Sequence, residues 1–244
     1  MEYFYLTDPG KLRTHNEDSV IVTENENGEY LLVVADGMGG HKAGEVASSI
    51  VVSNLGKRFK ECGSIGTKED AVNWLKEAVS EANMLIYKHT SEHPESAGMG
   101  TTVVVSVLTK EYLLFGNIGD SSGYVVKKGK LHKITTDHTL VNLLLKTGQL
   151  TEAEAKNHPR KNVLMRALGA TTSVDMDIFD VETDIEGIFL CSDGLTNMLS
   201  DGQIEKVLED DITIEQKLQK LVSKSNNRGG LDNISIAYLS IGGV

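Results

Sequence analysis

Four aspartates stand at the ends of apolar, strand-like runs: Asp36 in L-L-V-V-A-D-G-M-G-G, Asp120 in L-L-F-G-N-I-G-D-S-S, Asp193 in I-F-L-C-S-D-G-L and Asp232 in G-G-L-D-N-I-S-I. A carboxylate beside glycine at the mouth of a buried strand adds little to fold stability, but it is well placed to hold a hard cation. The four offer oxygen donors only. No histidine or cysteine cluster accompanies them at zinc-like spacing, so Mg2+ or Mn2+ is favoured over zinc. Two such cations about 3.5–4 Å apart can bridge one water, lower its pKa and clamp the oxygens of an in-line displacement. Gly37, Gly39 and Gly40 let the backbone turn sharply after the strand and let main-chain carbonyls approach a metal. Any one Asp–Gly pair reads equally well as a turn. The recurrence of all four in one context points to a polynuclear metal site at one edge of a β core.

Such an edge needs strands that share an end. Strands are predicted from β-branched, alternating or solidly apolar runs at 19–23, 30–35, 101–109, 112–118, 174–181, 187–191 and 233–240. Helical periodicity covers 43–60, with Val46, Ala47, Ile50, Val51 and Leu55 on one face. It also covers 68–89, with Ala71, Leu75, Ala78, Ala82, Leu85 and Ile86 in line and Thr67 and Asp70 suited to a capping box. Further helices are expected at 139–146, 151–156, 201–209 and 213–226. Strands in runs, interrupted by paired helices, indicate an α+β fold with helices outside a mainly antiparallel β core. No linker or internal repeat divides the chain, so one domain over 1–244 is expected. The polar, interrupted stretch 138–168 reads as a flap beside the core.

The 244 residues are 40% apolar and 24% charged, the balance of an ordinary globular domain, and carry a net charge of −11. That charge repels nucleic acid and anionic membrane, so neither is an expected partner. An anionic substrate then needs local cations. Cys62 and Cys191 read as separate reduced thiols, and neither opens a C-x5-R loop, since Lys68 and Asn197 stand at the arginine position. No signal peptide or membrane-spanning run is visible, and a cytoplasmic monomer is expected.

The motifs G-K-L-R-T-H-N-E-D-S, V-V-A-D-G-M-G-G-H-K-A-G-E-V-A, M-G-T-T-V-V-V, N-I-G-D-S, T-D-H-T, C-S-D-G-L-T and G-G-L-D-N-I-S follow one another from about Asp8 to Ser240. Together they resemble the metal-dependent serine/threonine protein phosphatases of type 2C, in their compact bacterial form. The resemblance implies a central antiparallel β-sandwich flanked by helices in α-β-β-α layers. It also implies hydrolysis of phosphoserine and phosphothreonine by a metal-activated water, without a phosphoenzyme. Two catalytic Mn2+ or Mg2+ ions and a weaker third are implied with it. Asp36 would bridge the two catalytic ions, and the Gly37 carbonyl would bind one of them. Asp193 and Asp232 would hold the second, and Asp120, helped by Asp193, the third. Glu17 and Asp18 would act through metal-bound water, and Arg13 would fork onto the substrate phosphate. His41, the histidine nearest the metal loop in sequence, is the candidate to protonate the leaving alkoxide, with a metal-bound water as the alternative donor. The chain departs from the family pattern at Ser122, where arginine commonly follows G-D-S. Phosphoprotein substrates, and a bacterial serine/threonine kinase with its targets, are the partners implied.

Two look-alikes fall away. Lys42 stands where a dinucleotide-binding G-x-G-x-x-G needs its third glycine. Asp175 and Asp177 in V-D-M-D-I are expected on the solvent face of a strand whose inward face is Val174, Met176 and Ile178, and Arg160, Lys161 and Arg166 on a solvated face. Two rival functions stay open: a non-catalytic binding module of the same fold, and a hydrolase of small phosphate esters. Loss of the metal acids would indicate the first, and a pocket enclosed by 138–168 the second.

Overall fold

The computed structural model describes residues 1–39, 43–156 and 158–242. The chain begins with β1 (Glu2–Asp8), β2 (Asp18–Glu24), β3 (Tyr30–Met38), α1 (Ala43–Glu61) and α2 (Lys68–Glu92). It continues through β4 (Gly100–Thr101), β5 (Val103–Leu108), β6 (Leu113–Ile118), β7 (Ser122–Lys127) and β8 (Lys130–Lys133). Then come α3 (Leu140–Lys146), α4 (Glu152–Lys156), β9 (Asp177–Val181) and β10 (Gly187–Cys191). Last are α5 (Asp193–Thr196), α6 (Asp201–Leu208), α7 (Ile214–Asn227) and β11 (Ile234–Ser240).

The strands form two sheets, ordered β1-β11-β10-β7-β8 and β2-β3-β5-β6-β9, with β4 paired to the end of β3. Every pairing is antiparallel. The two-residue period of a strand sorts the apolar residues into three cores. In β3, Leu32 and Val34, together with Val104 and Phe115 of the same sheet, face Ile188, Leu190 and Ala237 of the other sheet. Their neighbours Leu31, Val33 and Ala35 face outward onto α1 and α2, against Ala47, Val51, Leu55, Leu75 and Ile86. The outer face of the first sheet, with Phe189, Ile234, Ile236 and Tyr238, is covered by Ile204, Val207, Leu218 and Leu221 of α6 and α7. The result is the expected α-β-β-α stack. Helix α2 starts at the expected capping box, with the Asp70 amide donating to Thr67 Oγ1 and the Thr67 amide to Asp70 Oδ2. Among the described residues no helix is long and apolar enough to cross a membrane.

Three strands went unpredicted. Strand β1 alternates in E-Y-F-Y-L-T-D, with Phe4 and Leu6 packed on the α6–α7 side and Tyr3 edge-on to Tyr30. Strands β7 and β8 form a hairpin turning at Lys128 (φ 53°) and Gly129 (φ 69°), whose successive positive φ angles suit a two-residue loop. The run at 101–109 is divided into β4 and β5, and the run at 174–181 becomes a strand only at Asp177.

Candidate metal centre

The antiparallel order brings the strand ends together. Strand β2 starts and β3 ends at the same edge, and Asp18 and Asp36 are register partners there. Asp120 follows β6, Asp193 follows β10 and opens α5, and Asp232 precedes β11. Asp36, Asp120, Asp193 and Asp232 line one cleft of about 310 Å3, with Arg13, Glu17, Gly37 and Thr102. Asn162 and Leu164 are the contribution of the 138–168 stretch, and Arg13 on the rim is 51% exposed, so the cleft opens to solvent. Eight of the nine site residues expected from the sequence meet at or directly behind this cleft. His41 lies outside the described residues.

Small polar side chains hold the acids in place. The Asp36 amide donates to Thr102 Oγ1 (3.0 Å), and its carbonyl accepts from the Thr102 amide and from Thr101 Oγ1 (2.9 Å each). Asn233 gathers the loop carrying Arg13. Its Nδ2 donates to the carbonyls of Pro9 and His15, and its Oδ1 accepts from the Glu17 amide. Ser192 Oγ donates to Asp18 Oδ2 (2.7 Å) and accepts from the Ser235 amide (2.9 Å). Thr102, Ser192 and Asn233 lie in the motifs M-G-T-T, C-S-D-G and L-D-N, whose spacing alone gives them no role.

Glycines allow the close approaches. A Cβ on Gly37 would lie 2.2 Å from the Gly44 carbonyl oxygen, so β3 and α1 meet here only through glycine. A Cβ on Gly194 would lie 2.0 Å from the Asn233 carbonyl oxygen. Gly194→Ala is therefore expected to push Asp193 away from the Asp232–Asn233 turn and to lower stability by about 1–3 kcal/mol, the usual range for overpacking. A thermal melt beside the unsubstituted chain checks this, and an unchanged Tm would contradict the contact.

The electrostatics fit a cation. Burial, and then the charges of Asp18, Asp193, Asp120 and Asp232, hold the Asp36 carboxyl well above its ordinary range. Burial followed by Asp193 pushes Asp120 up to about 7, and burial followed by Asp232 pushes Asp193 up to about 6. Asp18 is also pushed up to about 7, by burial first, and its buried Oδ1 has no hydrogen-bond partner among the described residues. Glu17 is raised too, chiefly by burial. Desolvated carboxylates that repel one another gain most from a hard divalent ion. The orphaned Asp18 oxygen, directly behind Asp36, suits an acceptor for water on such an ion. Among the described residues no group of three or more acidic, histidine or cysteine side chains already converges as a ready-made ligand set. A cation that keeps several waters and takes one or two carboxylates matches this spacing.

Arg13 Nη2 sits 2.9 Å from Asp232 Oδ2, so the expected phosphate fork rests on a candidate metal ligand. Among the described residues its remaining N–H groups have no partner and can meet a second anion. Cys191 is fully buried and its thiol is raised by burial, which leaves no thiolate nucleophile at the site. Ser122 opens β7 as the buried register partner of Cys191. The expectation for Asp177 and Arg166 is corrected. Neither is simply solvated, because Arg166 Nη1 donates to Asp177 Oδ1 (2.7 Å) and His138 Nε2 lies 3.1 Å from Asp177 Oδ2.

The pattern described as Protein phosphatase 2C matches residues 12–230. The chain belongs to that family. It is 40% identical to the serine/threonine phosphatase stp of Listeria welshimeri over 233 residues, 95% of this chain and 92% of that protein. It is 37% identical to the protein phosphatase PhpP of Streptococcus pneumoniae over 242 residues, 99% of this chain and 98% of that protein. The solved serine/threonine phosphatase of S. agalactiae superposes with a TM-score of 0.93 at 37% identity, covering 99% of each chain. A phosphatase domain of this family accounts for a cleft whose charged groups are four aspartates, a glutamate and one arginine.

Proposed function

We propose that this chain hydrolyses phosphoserine and phosphothreonine in proteins and opposes a serine/threonine kinase. The observation that carries this reading is one solvent-open cleft lined by four oxygen-donor carboxylates beside one arginine. The openness favours phosphoprotein over small phosphate esters, and retention of all four acids favours catalysis over a binding-only module.

Asp36 and the Gly37 carbonyl, with Asp193 and Asp232, would hold two Mn2+ or Mg2+ ions, and Asp120 a weaker third. Bound there, the ions would supply an activated water and neutralise phosphate oxygens, which answers the roughly 20 kcal/mol or more that phosphate monoester hydrolysis demands. The side chains set the geometry. Asp18, fixed by Ser192, and Glu17, fixed by Asn233, present oxygens behind and beside Asp36. Arg13, carried on the loop that Asn233 ties down, grips the phosphate with its free N–H groups. His41 or a water protonates the leaving serine or threonine oxygen. One domain spanning 1–244 with a flap at 138–168, monomeric and cytoplasmic, completes the proposal.

The test is phosphate release from a phosphothreonine peptide and from p-nitrophenyl phosphate in millimolar Mn2+, with and without EDTA. Metal-dependent release is expected, and inert substrates at saturating metal would refute the proposal. Arg13→Ala is expected to raise KM about tenfold with a smaller change in kcat, the signature of a lost ground-state contact. A fall in kcat alone would place Arg13 elsewhere in the reaction.

A further inference from the structure

His138, in the T-D-H-T stretch, is a buried histidine that the mechanism above does not use. It touches Gly119, the residue before Asp120, at two points. The His138 amide donates to the Gly119 carbonyl (2.8 Å), and the Gly119 amide donates to His138 Nδ1 (3.1 Å). A ring nitrogen that accepts an N–H carries no proton, so the proton is on Nε2 and is donated to Asp177 Oδ2 at 3.1 Å. Asp177 is held in turn by Arg166, whose Nη1 donates to its other oxygen (2.7 Å). The carboxylate thus sets the tautomer that Gly119 requires.

Gly119 needs this clasp. Its φ of +107° lies where other residues rarely go, and a Cβ would meet Thr102 Cγ2 at 2.5 Å. On the other side of Asp120, Ser121 Oγ is 2.7 Å from Thr102 Oγ1, the same hydroxyl that accepts the Asp36 amide. Asp120 itself therefore sits between two fixed neighbours, one held by His138 and one by Thr102. Arg166 stands in the 163–168 stretch, which bonds through the Met165 amide to the His138 carbonyl (2.7 Å) and through Leu168 to Thr101.

The geometry points to His138 as the positioning residue of the outer metal site: with its tautomer set by Asp177, it aims Asp120, and the link to Arg166 joins that aim to the flap. This rests on the reading of Asp120 as an outer metal ligand. Groups that orient a ligand typically change metal affinity 10- to 100-fold when removed.

Two isosteric halves of the imidazole separate the roles. In His138→Asn, Oδ1 takes the place of Nδ1 and keeps the acceptor for Gly119. In His138→Gln, the end of the side chain reaches the Nε2 position but offers Gly119 no such acceptor. Asp177→Ala removes the anchor at a half-exposed position, so the fold survives even where a substitution at the buried ring does not. Mn2+ binding is read by calorimetry and by the free-ion EPR signal. His138→Gln is expected to weaken the weakest class of Mn2+ sites by about 10- to 100-fold and Asp177→Ala by about tenfold, with His138→Asn close to the unsubstituted chain. The turnover lost at low Mn2+ is expected to return at high Mn2+ with KM for phosphopeptide unchanged, a rescue that general misfolding would not show. If Asp120→Asn leaves the isotherm unaltered, the ligand reading itself fails. If Asp120→Asn weakens binding while His138→Gln and Asp177→Ala both match the unsubstituted chain, the inference about His138 is overturned and the ligand reading stands.

Discussion

Asp36→Asn is expected to reduce kcat by about 10^3-fold or more while raising the melting temperature of the metal-free protein. The loss follows from position: the proposed bridging carboxylate is removed, and Lewis-acid stabilisation worth several kcal/mol goes with it. The gain follows from charge. Desolvation first, and then the charges of four other aspartates, hold the Asp36 carboxyl well above the ordinary range. Asparagine keeps the shape without the charge. The backbone does not need to move, because Thr101 and Thr102 hold the Asp36 amide and carbonyl rather than its side chain. Relief of one such repulsion amounts to about 1 kcal/mol or more, roughly 2–4 °C in Tm for a domain of this size. Steady-state kinetics in saturating Mn2+ and calorimetric melts in EDTA measure the two effects. Full turnover would end the bridging assignment, and a lower metal-free Tm would mean that the carboxylate stabilises the fold instead of straining it.

The strand-end aspartates were legible because the runs beside them are unambiguous. L-L-V-V-A before Asp36 and I-F-L-C before Asp193 read as buried strands, and both are fully buried strands in the fold. The long helices were equally plain, since their apolar faces repeat at helical spacing and α2 has its capping box. Local signals failed where the code was weak. Strand β7 ends on Lys127 and turns through Lys128, and β1 alternates tyrosines with its core residues, so neither resembles the solid apolar runs next to the aspartates. The motif series compensated for this, because it ordered the acids along the chain whatever the strand boundaries.

The supporting contacts around the site left no trace in spacing. Thr102 reaches Asp36 across 66 residues, Ser192 reaches Asp18 across 174, and Asn233 reaches Glu17 across 216. No periodicity records a hydrogen bond between residues that far apart. Asp177 shows the same limit in the other direction. Alternation placed Val174, Met176 and Ile178 on one face, and all three do pack beside the helices. That pattern leaves the opposite face to solvent, yet in a two-sheet fold it turns toward the second sheet, where Phe179 and Val181 are half-buried and Asp177 meets His138 and Arg166. A single strand pattern identifies two faces but does not say that both are covered.

The metal-free protein is expected to lose stability as pH rises from about 5 to 8, and millimolar Mn2+ is expected to abolish that loss. Asp18 and Asp120 are pushed up to about 7 and Asp193 to about 6, from an ordinary value of 3.8. Their carboxyls keep protons in the folded chain at a pH where the unfolded chain has released them. The stability they contribute is therefore fully present below about 4 and is lost as pH climbs through 6 and 7. Other carboxyls act in a different window. At Glu29 and Asp177 burial raises the pKa, but hydrogen bonds outweigh it and the net shift is downward, so their contribution is lost only in acid. Above pH 5 the cluster dominates. Because its members interact, the combined effect is a few kcal/mol rather than a sum of separate shifts, on the order of 10 °C in Tm. A divalent ion must displace these protons to bind, so Mn2+ titrated at pH 6 should release more protons than at pH 8. Calorimetry in two buffers of different ionisation enthalpy reads that release. Equal proton release at both pH values, with a metal-free Tm that does not fall above pH 5, would mean that the cleft holds its carboxylates apart without strain and that the electrostatic case for a metal centre is wrong.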